Sequence, residues 1–227
     1  MYIFNFPKEW KIDKNVPKEI IYKVADADEK LKKIFIENVE RIRLIYSLST
    51  NNTNIEKYIT VDERYDEINF LKVVLRTRGK ENIILKLMHK LIPKGTVIIL
   101  EFQDEILISL SNKKIENNKI IIVELYNSQW LDNKNEYLKE FNYKNYDSGN
   151  LKFFYNSILE KIKTYNLSKI LKIDTKIDSN KIERLEELTN EIEELKLLRK
   201  KETQMNKIAD IQSKLITKIE ERESLYK

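Results

Sequence analysis

Thr96-Val-Ile-Ile-Leu-Glu-Phe102, Gln103-Asp-Glu105 and Ile106-Leu-Ile-Ser-Leu-Ser111 follow one another without interruption. Two runs rich in β-branched and apolar side chains, separated by three polar residues, read as a strand, a tight turn and a second strand. Lys113 to Lys119 is a further polar turn, and Ile120-Ile-Ile-Val-Glu-Leu-Tyr126 is the next strand. Successive strands joined by short turns pair with their neighbours, so an antiparallel meander is expected here.

Upstream of this core, Ile68 to Thr77 carries the same strand chemistry and Tyr58 to Val61 a shorter version of it. Gly79 ends the first, and Glu81 to Leu91 reads as a helix stopped by Pro93. Leu31, Ile34, Phe35, Val39, Ile42 and Ile45 recur at helical spacing, which predicts one helix from a cap at Asp28 to just before the polar run Ser49-Thr-Asn-Asn-Thr-Asn54. Pro17 opens a short helix before it, and Tyr2, Phe4, Phe6 and Trp10 form a short strand or a packed arm. Downstream, Leu151, Phe154, Tyr155, Ile158, Leu159 and Ile162 form the buried face of a helix capped by Asp147 or Ser148. The expected fold class is α+β: a mainly antiparallel sheet of four or five strands with helices packed over one face.

The last stretch is different in kind. Ile182, Leu185, Leu188, Ile192, Leu195 and Leu198, then Met205, Ile208, Ile211, Leu215 and Ile219, recur every three or four residues in a segment without Gly or Pro. So narrow an apolar stripe suits a coiled coil, and its residues are the expected partner-binding surface. The stripe lapses near Arg199 to Gln204, which favours an antiparallel hairpin of two helices with Thr203 capping the second. The organisation is therefore a body over residues 1–165, a linker over 166–180 and a helical tail over 181–227.

Composition narrows the chemistry. The 227 residues include no Cys, one His (His89) and three Gly. Thiolate nucleophiles, cysteine-ligated metals, two-His metal sites and Gly-rich phosphate loops are all excluded. No cofactor or metal is expected, and His89 reads as an ordinary helix residue. No apolar run is long enough to span a bilayer, and the amino terminus lacks a signal-peptide pattern, so a cytoplasmic protein without membrane contact is expected.

The net charge is +5. Residues 181–227 carry equal numbers of basic and acidic side chains, so the whole excess lies in the body. Arg76, Arg78, Lys80, Lys113 and Lys114 are the nucleic-acid-binding candidates within it. Glu101-Phe-Gln103 is a variant of the acid-x-Lys pattern of metal-dependent nucleases, with Gln for Lys and Asp62, Asp66 or Glu67 as the upstream acid. The end of a hairpin, with Gln103 in its turn, is the favoured reading, because single acids at strand ends are common. Glu124, inside an apolar strand, needs an exposed sheet face or a Lys or Tyr partner.

Asn15-Val-Pro-Lys18, Tyr22, Phe35, Val39, Ile42, Leu48-Ser49 and Thr53-Asn-Ile55, with the hairpin from Pro93 to Leu110, Ser128-Gln-Trp130 and Lys201-Glu-Thr-Gln-Met-Asn206, resemble a microbial family called domain of unknown function 4391. The family often has a basic residue just before Leu48, where this chain has Ser47. The resemblance implies a prokaryotic protein encoded near restriction-modification methyltransferases and helicases, and it implies no activity. Two functions are thus expected: an accessory or adaptor protein of a defence system, docking a protein partner or a second copy through its tail, or a nucleic-acid-acting module, either a binder or a degenerate nuclease.

Overall fold

A computed structural model describes residues 3–25, 29–117, 119–173 and 177–226. The chain divides into two units, Met1–Ile162 and Lys163–Lys227. The elements of the first, in order, are β1 (Lys11–Asn15), α1 (Lys18–Ala25), α2 (Glu29–Asn38), β2 (Val39–Ser49), α3 (Thr50–Thr53), β3 (Tyr58–Ile59), β4 (Arg64–Tyr65), β5 (Glu67–Leu75), α4 (Glu81–Leu91), β6 (Gly95–Phe102), β7 (Glu105–Glu116), β8 (Lys119–Asn127) and β9 (Leu131–Asp132). Helix α5 (Leu151–Leu171) runs across the division, and α6 (Ser179–Lys201) and α7 (Met205–Ser224) complete the second unit.

The class is α+β with a mostly antiparallel sheet, but the sheet is larger than expected. Seven strands take the order β1-β2-β5-β6-β7-β8, with β9 also paired to β7, and β3 and β4 form a separate two-stranded ribbon. The meander from β6 to β8 is antiparallel, and Lys113 to Glu116, expected in a turn, extend β7 and pair with β8. One pair, β5 and β6, is parallel. A parallel neighbour needs a crossover rather than a hairpin, and α4 supplies it.

The largest correction concerns residues 39–49. The expected single helix ends at Asn38, and Val39–Ser49 is instead β2, paired with both β1 and β5. Its ladder with β5 shifts register between Val39 and Arg41 and again between Leu44 and Tyr46. Each irregularity displaces the alternation of the pleat by one residue. The buried positions therefore fall at Val39, Ile42, Tyr46 and Leu48, three and four residues apart before the last step. A bulged strand has imitated a helical period. The proposed cap at Asp28 lies outside the described residues.

Helices cover the sheet on both faces, not one. On the first, Leu71, Val73, Leu75, Ile98, Leu100 and Leu107 pack with Ile21 of α1, Phe35 of α2, and Ile84, Leu85 and Met88 of α4. On the second, the N-terminal arm takes the packed form. Phe6 meets Phe70 edge-on at 5.0 Å and Tyr46 at 5.0 Å, and lies 6.1 Å from Phe154 of α5. The predicted apolar face of α5 is buried throughout. Its cap is Asn150, whose Oδ1 accepts from the backbone N–H of Phe153 at 3.0 Å, rather than Asp147 or Ser148.

In the second unit α5 continues through Leu171, so the first part of 166–180 is helical. Leu167, Ile182 and Leu185 form a small buried cluster with Leu171, Ile177, Leu225 and Tyr226 around it. Helices α6 and α7 run antiparallel: Arg184 pairs with Glu221, Lys218 with Glu191 at 2.7 Å, and Arg199 hydrogen-bonds Gln212. The turn between them is capped by Glu202 and not Thr203, because the Glu202 carboxylate accepts from the N–H groups of Thr203 and Gln204, each at 2.9 Å.

Candidate functional site

Two of the suspected catalytic residues come together. Glu101, at the end of β6, and Gln103, in the following turn, line a cleft of about 230 Å³ with Ile3, Ile45, Lys72, Ile99, Asp104, Ile106 and Asn133. Glu101 is ion-paired with Lys72 of β5. Gln103 takes a left-handed backbone, φ 54°, to make the two-residue turn. Asn133 donates from Nδ2 to Asp104 Oδ1 at 3.2 Å and from its backbone N–H to Asp104 O at 2.8 Å, which fixes that wall. A second cavity of about 330 Å³ shares Ile3 and Asn133 and is lined further by Asn5, Lys134, Asn135, Leu138, Lys139 and Asn142.

The other acids do not join them. Strand β5 runs parallel to β6 with Ile68 opposite Gly95 and Val74 opposite Glu101. Asp66 and Glu67 therefore lie at the other end of the sheet, about 20 Å away at ~3.3 Å per residue. Asp66 is bound by Arg64 at 2.9 Å, and that guanidinium holds its carboxyl below the usual range. Glu67 is held by Lys94 and by Ser47 Oγ at 2.5 Å. Glu124 stands on the exposed edge strand β8 and accepts from the Tyr126 hydroxyl. Among the described residues no three His, Asp or Glu side chains gather closely enough to hold a metal ion.

The basic candidates are divided in the same way. Arg78 lies 4.3 Å above the Trp130 ring and pairs with Glu105 at 2.7 Å, and Arg76 Nε donates to Val39 O at 3.4 Å. Lys113, at the far end of the sheet, donates to the carbonyls of Ile92 at 2.6 Å and Lys94 at 2.8 Å. Burial pulls its amine down to about 7. Lys80 and Lys114 are exposed.

Sequence reasoning missed a polar network inside the body. His89 is fully buried, with Nε2 3.0 Å from Ser109 Oγ and Nδ1 3.0 Å from Ser111 Oγ. A neutral ring has one donor and one acceptor nitrogen, so one serine must donate to it and the other accept. Burial drives the imidazole well below its ordinary range, and the Lys113 charge adds to that. The Tyr155 hydroxyl accepts from Ser111 N–H at 3.0 Å and shares its proton between the carbonyls of Thr96 at 3.0 Å and Ser111 at 3.1 Å. A niche of about 20 Å³, lined by Arg64, Tyr65, Gly95, Ser111 and Lys113 among others, adjoins the network. It has room for roughly one water molecule. The available signal was the pair Ser109 and Ser111, two residues apart and hence on one face of an otherwise apolar strand.

The partner-binding stripe divides along its length. Ile182, Leu185, Leu188, Ile192 and Leu215 are buried, while Leu195, Ile208 and Ile219 are half-buried. Near the turn between α6 and α7 the pattern reverses: Leu198 is 54 % exposed and Met205 78 %, beside Leu197 at 55 %. Arg199, Lys200, Lys201 and Lys207 are exposed around them.

These features define an α+β protein with a two-sided sheet, a mixed apolar and polar cleft at one end of it, and a C-terminal unit of helices. Residues 4–222 match the family model described as Domain of unknown function (DUF4391), and the chain belongs to that family. No curated protein and no solved structure matches it. No helix among the described residues is long and apolar enough to cross a membrane.

Proposed function

We propose that this protein is a non-catalytic accessory subunit that docks a larger protein through the turn end of its α6/α7 pair. The observation that carries this reading is the exposure of Leu197, Leu198 and Met205 together at a helix turn. Large apolar side chains clustered on a surface mark interaction sites, whereas scattered ones need no explanation. The surrounding Arg199, Lys200, Lys201 and Lys207 favour a partner whose apolar groove is rimmed by acidic side chains. Two such tips facing each other repel, so a different protein is favoured over a second copy. The partner class, a methyltransferase or helicase of a prokaryotic defence system, follows the family resemblance rather than the geometry.

The test is a purification from the native host, comparing the wild-type chain with Leu198→Glu/Met205→Glu. Both positions are solvent-facing, so helicity by circular dichroism should be unchanged while the co-purifying operon protein is lost. Retention of the same complex at the same stoichiometry by the double variant defeats the proposal.

A further inference from the structure

We propose that the cleft between β5, β6 and the 133–142 segment binds a purine nucleotide. The observations are independent of the helical unit. The cleft lies at the carboxyl ends of β5 and β6, the one parallel pair among the described residues, with Lys72 three residues from the end of β5 and Glu101 one from the end of β6. Carboxyl ends of parallel strands are where open sheets most often bind ligands, because the connections there diverge and leave a crevice. The two cavities, about 230 Å³ and 330 Å³, share Ile3 and Asn133 and together reach the size of ordinary small-molecule sites.

Three chemistries line the two cavities. Half-buried Ile45, with the edges of the otherwise buried Ile99 and Ile106 beside it, supplies apolar surface from the sheet, which suits a planar ring better than a sugar's hydroxyls. Glu101, Gln103, Asp104 and Asn133 then present carboxylate acceptors beside amides able both to donate and to accept. A purine edge alternates donors and acceptors in the same way: Gln and Asn read adenine in pairs of hydrogen bonds, and carboxylates accept from exocyclic and ring N–H groups. Gln103 has no hydrogen-bond partner for its side chain among the described residues. The second cavity adds Lys134 and Lys139. Lys139 is paired with Glu136 at the surface, which leaves Lys134 as the cation for a phosphate. Lys72 neutralises Glu101, and Asp104, held by the Asn133 amide, is left as the charged acceptor for a base N–H group.

The experiment titrates the full-length protein with GMP, AMP and ribose 5-phosphate, and follows the side-chain amides of Gln103 and Asn133 and the methyls of Ile45, Ile99 and Ile106 by NMR. A purine nucleotide should shift these signals saturably, and ribose 5-phosphate should leave the isoleucine methyls in place. Gln103→Gly removes the amide without straining the left-handed backbone, and should weaken binding about tenfold. Lys134→Ala should weaken binding of GMP and AMP but not of guanosine and adenosine, titrated in the same way. The proposal is overturned if neither nucleotide moves the methyls at millimolar concentration, if ribose 5-phosphate moves them equally, or if both variants bind as the wild type does while keeping its thermal midpoint.

Discussion

His89 and Lys113 show how the body's interior handles charge. His89 is buried and Lys113 half-buried, with their polar atoms satisfied, His89 by two serine hydroxyls and Lys113 by two backbone carbonyls, and neither has a carboxylate on it among the described residues. Desolvation then favours the neutral forms. Lys113 ordinarily titrates at 10.5 and is lowered to about 7 in the folded chain. Between those values the unfolded chain holds a proton that the folded chain has released, so stability should rise with pH across that window. Lys113→Met should flatten the rise by about 2–4 kcal/mol, measured by urea unfolding at pH 7 and pH 10. His89, depressed below 6.5, adds a second loss as the pH falls under that value. His89→Ala should cost about 3–5 kcal/mol at neutral pH, since it opens a cavity and strands two hydroxyls. Calorimetry showing a change under 1 kcal/mol would contradict the role of the network, taking ~1 kcal/mol as the net worth of a single hydrogen bond.

At the scale of elements, the apolar runs of β6 to β8 and the helical spacing of α4 and α5 were legible, but the polar end of β7, Lys113 to Glu116, reads as a turn and pairs with β8 beyond a register shift at Asn112 and Lys113. Strand β2 was not legible. Its two register shifts gave buried residues the spacing of a helix, and only pairing with β1 and β5 resolves the ambiguity. The second unit depends on a few contacts: Leu185 is fully buried beside Leu167 and Ile182. Leu185→Ala should therefore destabilise that unit by about 2–5 kcal/mol, read as faster amide exchange in α6 and α7 with β6 and β7 unaffected. Equal acceleration in the sheet would show that the two units unfold together. The exposed pairs along α6 and α7, Arg184 with Glu221 among them, contribute orientation more than stability because water and salt screen them.

Across the whole molecule, the excess positive charge is spread rather than concentrated. Arg76 to Lys80 follow the carboxyl end of β5, whereas Lys113 and Lys114 adjoin the start of β6. Of these five, Lys80 and Lys114 alone are exposed and without side-chain partners among the described residues. A duplex held by them would neutralise about two phosphates, so binding should weaken with salt at a log–log slope near −2. Fluorescence anisotropy between 50 and 200 mM salt tests this, those limits being roughly the range over which phosphate contacts declare themselves. A slope steeper than about −4 would reveal a basic face that this arrangement does not provide.

The sequence by itself determined the α+β class, the meander, the helical tail and the family, because local periodicity, turn chemistry and short motifs are properties of neighbouring residues. The parallel pair, the strand identity of 39–49, the burial of His89 and the gathering of Lys72 and Asn133 around Glu101 were decided only by the tertiary structure. Each depends on contacts between segments 18 or more residues apart, whose register no local pattern records.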